Sequence, residues 1–151
     1  SVTNTGAGHD IPTDNPLRNV ILLVEARGAD GQPLELIDGA AIPKWGGVGD
    51  SATGHYAGLP GVLYAKILAD FYTGEMPTYA YWRQTRLVSD NRIAALATDQ
   101  SSYRFRAPAD AGEITVEARL LLRRAFIELM EQKGWDTSDI LMARETVSLT
   151  P

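Results

Sequence analysis

Between Asn19 and Arg27 the chain runs Val-Ile-Leu-Leu-Val without a polar interruption, with Pro16 before it and Gly28 after it. A short, unbroken, β-branched run of this kind predicts a buried strand. Asp30-Gly31 follows, and such a dipeptide between apolar runs predicts a tight turn that returns residues 34–37 beside the first strand. The clearest alternation lies further on. Ile114, Val116, Ala118, Leu120 and Leu122 share one face, while Thr115, Glu117, Arg119 and Arg123 share the other. That period of two predicts an antiparallel strand half buried against a core.

The remaining segments are less regular. Residues 62–70 fit an extended segment, although Tyr64, Ile67 and Leu68 also suit a helix. Residues 79–88 mix aromatics with Arg83 and Arg86, and Ser89-Asp90-Asn91 breaks them from Arg92-Ile93. Tyr103, Phe105 and Ala107 alternate with Arg104 and Arg106 before a turn over residues 108–112. Helical spacing returns at Phe126, Leu129, Met130 and Lys133, with Gly134 where a left-handed C-cap belongs. Residues 125–133 are therefore read as a short helix, with Trp135 packing back beneath it. Ile140, Met142, Val147 and Leu149 form a closing strand, and Val2-Thr3 reads as the end of an opening one. Between Gly39 and Gly61 no period persists, so this stretch is a long loop, partly ordered by Trp45, His55 and Tyr56. The fold class is mainly β: an antiparallel β-sandwich, immunoglobulin-like or similar, with one short helix near the C-terminus.

Composition narrows the function classes. A chain of 151 residues suits one domain, here 1–151, that buries a core without disulfides or a structural metal. A net charge of −5 and scattered arginines supply no footprint for nucleic acid, and no apolar run reaches membrane-spanning length. The absence of cysteine removes thiol nucleophiles, thiolate-bound zinc and covalent haem attachment through Cys-x-x-Cys-His from this chain. Its opening, Ser-Val-Thr-Asn-Thr-Gly, lacks a methionine or leader and suggests a processed or excised fragment.

Candidate chemistry concentrates at Gly6-Ala-Gly-His-Asp-Ile-Pro-Thr13, which places His9 in a glycine-flanked turn stiffened by Pro12. The imidazole is read as presented outward, against the competing reading of an ordinary surface turn. His55, in Gly54-His55-Tyr56, is a second candidate ligand or interface residue, with a solvated histidine as the competing reading. A two-histidine, one-carboxylate iron site would need both, but the usual acid position two residues after His9 is Ile11. Two histidines cannot build a three-histidine zinc site, and no nucleophile elbow or phosphate-binding loop occurs. Asp99, Asp110, Glu128 and Glu131 read as turn or solvated helix positions. A further alternative is a binding module whose surface is Trp45, Tyr56, Tyr79, Tyr81 and Trp82, recognising a protein or carbohydrate.

Four segments, in order, resemble the β-sandwich domain found C-terminal to the haem-bearing part of multihaem c-type cytochromes. They are the stretch from Val2 to Thr13, Gly58-Leu-Pro-Gly-Val-Leu-Tyr-Ala-Lys66, Ser89-Asp-Asn-Arg-Ile93, and Leu122-Arg-Arg-Ala-Phe126 with Lys133-Gly-Trp135. The resemblance implies a non-catalytic domain outside the cytoplasm, periplasmic or extracellular, that packs against haem-bearing segments and supports electron transfer. It also implies that His9 is a distal axial ligand to the iron of a haem c held by a partner or an upstream segment. The Asp90–Arg92 stretch is expected to form a local ion pair or fix a turn.

Overall fold

The computed structural model describes residues 1–13, 15–108 and 112–150. Ten elements of regular structure follow in chain order: β1 (Val2–Thr3), β2 (Asn19–Arg27), β3 (Leu36–Asp38), β4 (Gly61–Asp70), β5 (Thr85–Asp90), β6 (Thr98–Asp99), β7 (Arg104–Phe105), β8 (Ile114–Arg123), α1 (Ile127–Lys133) and β9 (Ile140–Leu149). The fold is mainly β and antiparallel, with one helix near the C-terminus. Its central sheet has the order β5-β4-β2-β8-β9.

The unbroken apolar run of β2 reflects its central position, since both faces of this strand are covered. Ile21, Leu23, Leu63, Ala65, Ile67 and Leu121 point to one side, where they pack with Ile42 and Phe126. On the other side Val20, Leu22, Val24 and Tyr64 meet Ile93, together with Val2, Tyr103 and Phe105. The first face is roofed by the 39–60 loop and α1, and the second by the ribbons β1-β6 and β3-β7. Two short 3₁₀ turns, Lys44–Gly46 and Ser51–Thr53, order the long loop.

Several expectations need correction. The Asp30-Gly31 turn forms, with Gly31 N–H donating to Gly28 and an isolated bridge between Arg27 and Pro33, but β3 then leaves β2 and pairs with β7. One edge of β2 is taken over nine residues by β8 and the other from Asn19 to Leu23 by β4, with Val24 N–H donating to Pro60, so only the end of β2 is left for the returning chain. Strand β5 also starts later than the aromatic pattern suggests, at Thr85, and runs through Ser89 and Asp90. The helix begins at Ile127, and Gly134 adopts the left-handed conformation (φ 64°) as its C-cap. Trp135 does not pack beneath α1: it is 52% exposed and lines a surface cavity. The turn expected at 108–112 falls largely outside the described residues.

Arg123 also departs from its pattern. The alternation puts it on the polar face of β8, yet it is 1% exposed. At that end of the strand the 39–60 loop lies over the polar face. The guanidinium donates from Nε and Nη2 to the two Asp139 oxygens (2.8 and 2.7 Å), from Nη1 to the Gly46 carbonyl (3.0 Å) and from Nη2 to that of Gly54 (2.6 Å). One buried cation thus ties the loop to the segment entering β9. Further along this face Arg119 pairs with Glu25 and Glu117, and Arg144 pairs with Glu117, so the charges neutralise one another at the more open end.

Asp70 closes β4 as a buried carboxylate. Its Oδ1 accepts from the backbone N–H groups of Tyr72 and Thr73 (2.9 Å each), and Oδ2 accepts from Arg83 (3.3 Å). These donors, the Thr73 amide foremost, hold its pKa below the ordinary aspartate value. The resulting stabilisation is complete above the unfolded-state pKa of about 3.9, and is lost as pH falls through the lowered native value. Asp90, lowered by its hydrogen bonds to Arg92, acts in the same direction. Urea unfolding followed from neutral to acid pH should show a shallower acid loss in Asp70→Asn than in the wild type. An unchanged acid limb would contradict this assignment.

Candidate functional site

The His9 turn is held by groups distant in sequence. Asn4, 2% exposed, donates from Nδ2 to the His9 carbonyl (2.8 Å) and to that of Ile93 (3.1 Å), and its Oδ1 accepts from Ala7 N–H (3.2 Å). Ile11 and Ile93 exchange backbone hydrogen bonds of 2.9 Å in both directions. Arg92 then clamps the turn from the side, chelating Asp90 (2.8 and 2.7 Å) and reaching Asp10 (3.1 Å). The ion pair expected between Asp90 and Arg92 is therefore present, and it also fastens the residue next to His9. Asn91 anchors the same stretch to β4, accepting from Ala65 N–H (2.9 Å) and donating to the Leu63 carbonyl (2.8 Å).

On this support the His9 side chain is exposed. Its Nδ1 lies 3.1 Å from the Asp10 carbonyl oxygen. A carbonyl only accepts, so Nδ1 donates, and in the neutral ring Nε2 is the nitrogen that keeps the lone pair, with no hydrogen-bond partner among the described residues. A metal-binding imidazole needs this arrangement: one nitrogen bare, the other held by a backbone acceptor. The donor set thus fits an axial haem ligand.

Gly6 and Gly8 serve the turn differently from expectation. Neither has a left-handed φ, and a Cβ at either would meet no described heavy atom within 4 Å. Neither an unusual backbone angle nor close approach therefore calls for glycine at these two positions. Beside His9 opens a cavity of about 540 Å³, walled by Ile11, Pro12, Val20, Leu122 and Met142. Its size is that of a small-molecule or cofactor site.

His55 occupies the other side of the central sheet. Its side chain is 14% exposed, close under Gly47 and Gly49, with Nδ1 3.0 Å from Thr53 Oγ1 and Nε2 3.0 Å from Glu131 Oε1. The solvated-histidine reading does not hold, because both ring nitrogens have partners within the chain. The two histidines do not converge, and no group of three or more His, Asp or Glu side chains suited to a metal occurs among the described residues. Asp99 accepts a hydrogen bond from Tyr64 (2.7 Å), Glu128 is exposed on α1, and Asp110 lies outside the described residues.

The five aromatics of the binding-module alternative do not form one surface. Trp45, Tyr56 and Tyr79 pack against the core, whereas Tyr81 and Trp82 are exposed and meet edge to face. A separate exposed apolar surface was not anticipated: β9 is exposed along its whole length, including Ile140, Leu141, Met142, Val147 and Leu149. Met142 reaches the His9 cavity, so strand and cavity adjoin.

Asn4 and the inward-facing Arg123 escaped sequence reasoning. Asn4 stands in a polar run with no periodic cue, and one of its partners, the Ile93 carbonyl, lies 89 residues away. The one available signal was the pairing of two odd segments, Val-Thr-Asn-Thr-Gly and Ser-Asp-Asn-Arg-Ile, in the resemblance.

The antiparallel β architecture has a counterpart among solved structures. It is shared with a penta-haem cytochrome c552 from Thermochromatium tepidum, with 20% identity and a TM-score of 0.61. The likeness takes in 93% of this chain and 33% of that one, so the chain spans about a third of the cytochrome's length. No family model matches the chain, and no curated protein matches it.

Proposed function

We propose that this chain is the non-catalytic β-domain of a multihaem c-type cytochrome, and that it presents His9 as the distal axial ligand to a haem held by a partner or an upstream segment. The observation that carries the reading is the bare, outward Nε2 of His9, oriented by the Asp10 carbonyl and adjoining a cavity with apolar walls. Shared architecture with part of a penta-haem cytochrome supports it. Bound haem would supply the redox chemistry, since an axial imidazole pair sets spin state and tunes potential but carries no electrons itself. The chain's own residues position the ligand through Asn4 and Arg92, and exposed β9 offers apolar surface for the haem-bearing segment to cover. Among the described residues no helix is long and apolar enough to cross a membrane, and we place the domain outside the cytoplasm, in the periplasm or beyond.

His9→Ala in the complete haem-bearing assembly should convert one haem from low spin to high spin, read by electronic absorption and electron paramagnetic resonance. Spectra identical to the wild type would remove the ligand role.

A further inference from the structure

We propose that Arg124, at the His9 cavity, binds a propionate of the haem whose iron His9 ligates, so the cavity receives the edge of the cofactor as well as supplying its ligand. This inference rests on the ligand reading of His9 and adds a second point of recognition to it.

The cavity joins an apolar wall to cations. Ile11, Pro12, Val20, Leu122 and Met142 supply the wall, while Arg18 and Arg124 also line it, with no carboxylate among the described lining residues. Haem has a matching shape of polarity: a broad apolar macrocycle with two carboxylates along one edge. Arginine suits a carboxylate because its planar fork donates two parallel hydrogen bonds.

Arg124 is also available for such a partner. Arg92 and Arg123 are held by carboxylates of the chain itself, whereas Arg124 is exposed and makes no hydrogen bond or ion pair with any described residue. Its backbone is nonetheless fixed, because the flanking Arg123 and Ala125 are 1% and 3% exposed. A fixed root with an unpaired head can meet an incoming anion without reorganising the fold.

The test uses the 151-residue chain and a haem c peptide that has one proximal histidine and an open sixth position, with the Soret shift to low spin reporting binding. Arg124→Gln should weaken formation of the low-spin complex by about tenfold, the loss of one hydrogen-bonded charge partner. Arg124→Lys should recover part of this. Methyl esterification of the peptide's propionates should weaken the wild type to the same degree and leave Arg124→Gln unchanged. Far-ultraviolet circular dichroism checks that the variants are folded. A low-spin complex indifferent to Arg124→Gln overturns the propionate role alone, as do ester and Gln effects that simply add. If the wild-type chain gives no low-spin complex, or His9→Ala gives the same one, the ligand reading fails and takes this inference with it.

Discussion

Asp139→Ala is expected to lower stability by about 3–5 kcal/mol, because it leaves the Arg123 guanidinium buried without its counter-charge. Arg123 is 1% exposed and Asp139 supplies both carboxylate oxygens facing it. The two carbonyls that remain, from Gly46 and Gly54, satisfy donors but do not neutralise charge. Chemical denaturation of the two proteins side by side measures the difference. Replacing both partners, as Arg123→Met with Asp139→Leu, should recover only part of the loss, since those two carbonyls are left without the guanidinium. A single-variant loss below about 1 kcal/mol would mean that water solvates Arg123 or another acid neutralises it, and the proposed clasp would be discarded.

Gly61→Ala is the second large effect, at about 3 kcal/mol, the upper end of overpacking costs. Gly61 opens β4 at φ +155° opposite Leu23, and a Cβ there would stand well inside contact distance of the Leu22 carbonyl oxygen. It would also press on Ile42, whose Cδ1 lies 3.0 Å away. The obstructing oxygen is backbone in the central strand, so relief requires β4 to shift from β2. The same substitution at Gly58 meets open space but also a positive φ (85°), and should cost only about 1 kcal/mol through that backbone angle. Thermal or urea unfolding of both variants separates the two mechanisms. Equal losses would show that backbone angle, not close approach, dominates at Gly61.

Much of the central sheet was legible because burial dictates side-chain alternation. β2 reads as buried and β8 as alternating, and they are neighbours in the sheet. The partner of β3 was not legible. An Asp-Gly turn specifies only the first bridge, and a strand has just two edges for which distant segments compete. Strand β8 fills one edge of β2, and on the other edge β4 pairs with Asn19 to Leu23 and the Pro60 carbonyl takes the Val24 N–H, whereas β3 spans three residues and follows Pro33, which has no N–H to donate. The site divides in the same way. The exposure of His9 was legible as that of a turn residue, but the positioning by Asn4 depends on the arrival of residues 91–93 beside it. The burial of Arg123 and the covering of His55 depend on where the 39–60 loop lies, which no local pattern encodes.

The register between β2 and β8 has a consequence for how this domain is made. Asn19 meets Arg123 and Arg27 meets Thr115, so the sheet's central pairing joins segments from opposite ends of the chain. Contacts of such long range require closure of a large loop before any reward is gained, which places folding in the slow regime of non-local β topologies. During synthesis, β2 and β4 emerge together while the Leu-rich edge that β8 will cover remains open. An unfinished chain is then a sticky half-sheet, and the interval before residue 123 is made is when a chaperone or translocation partner would matter most.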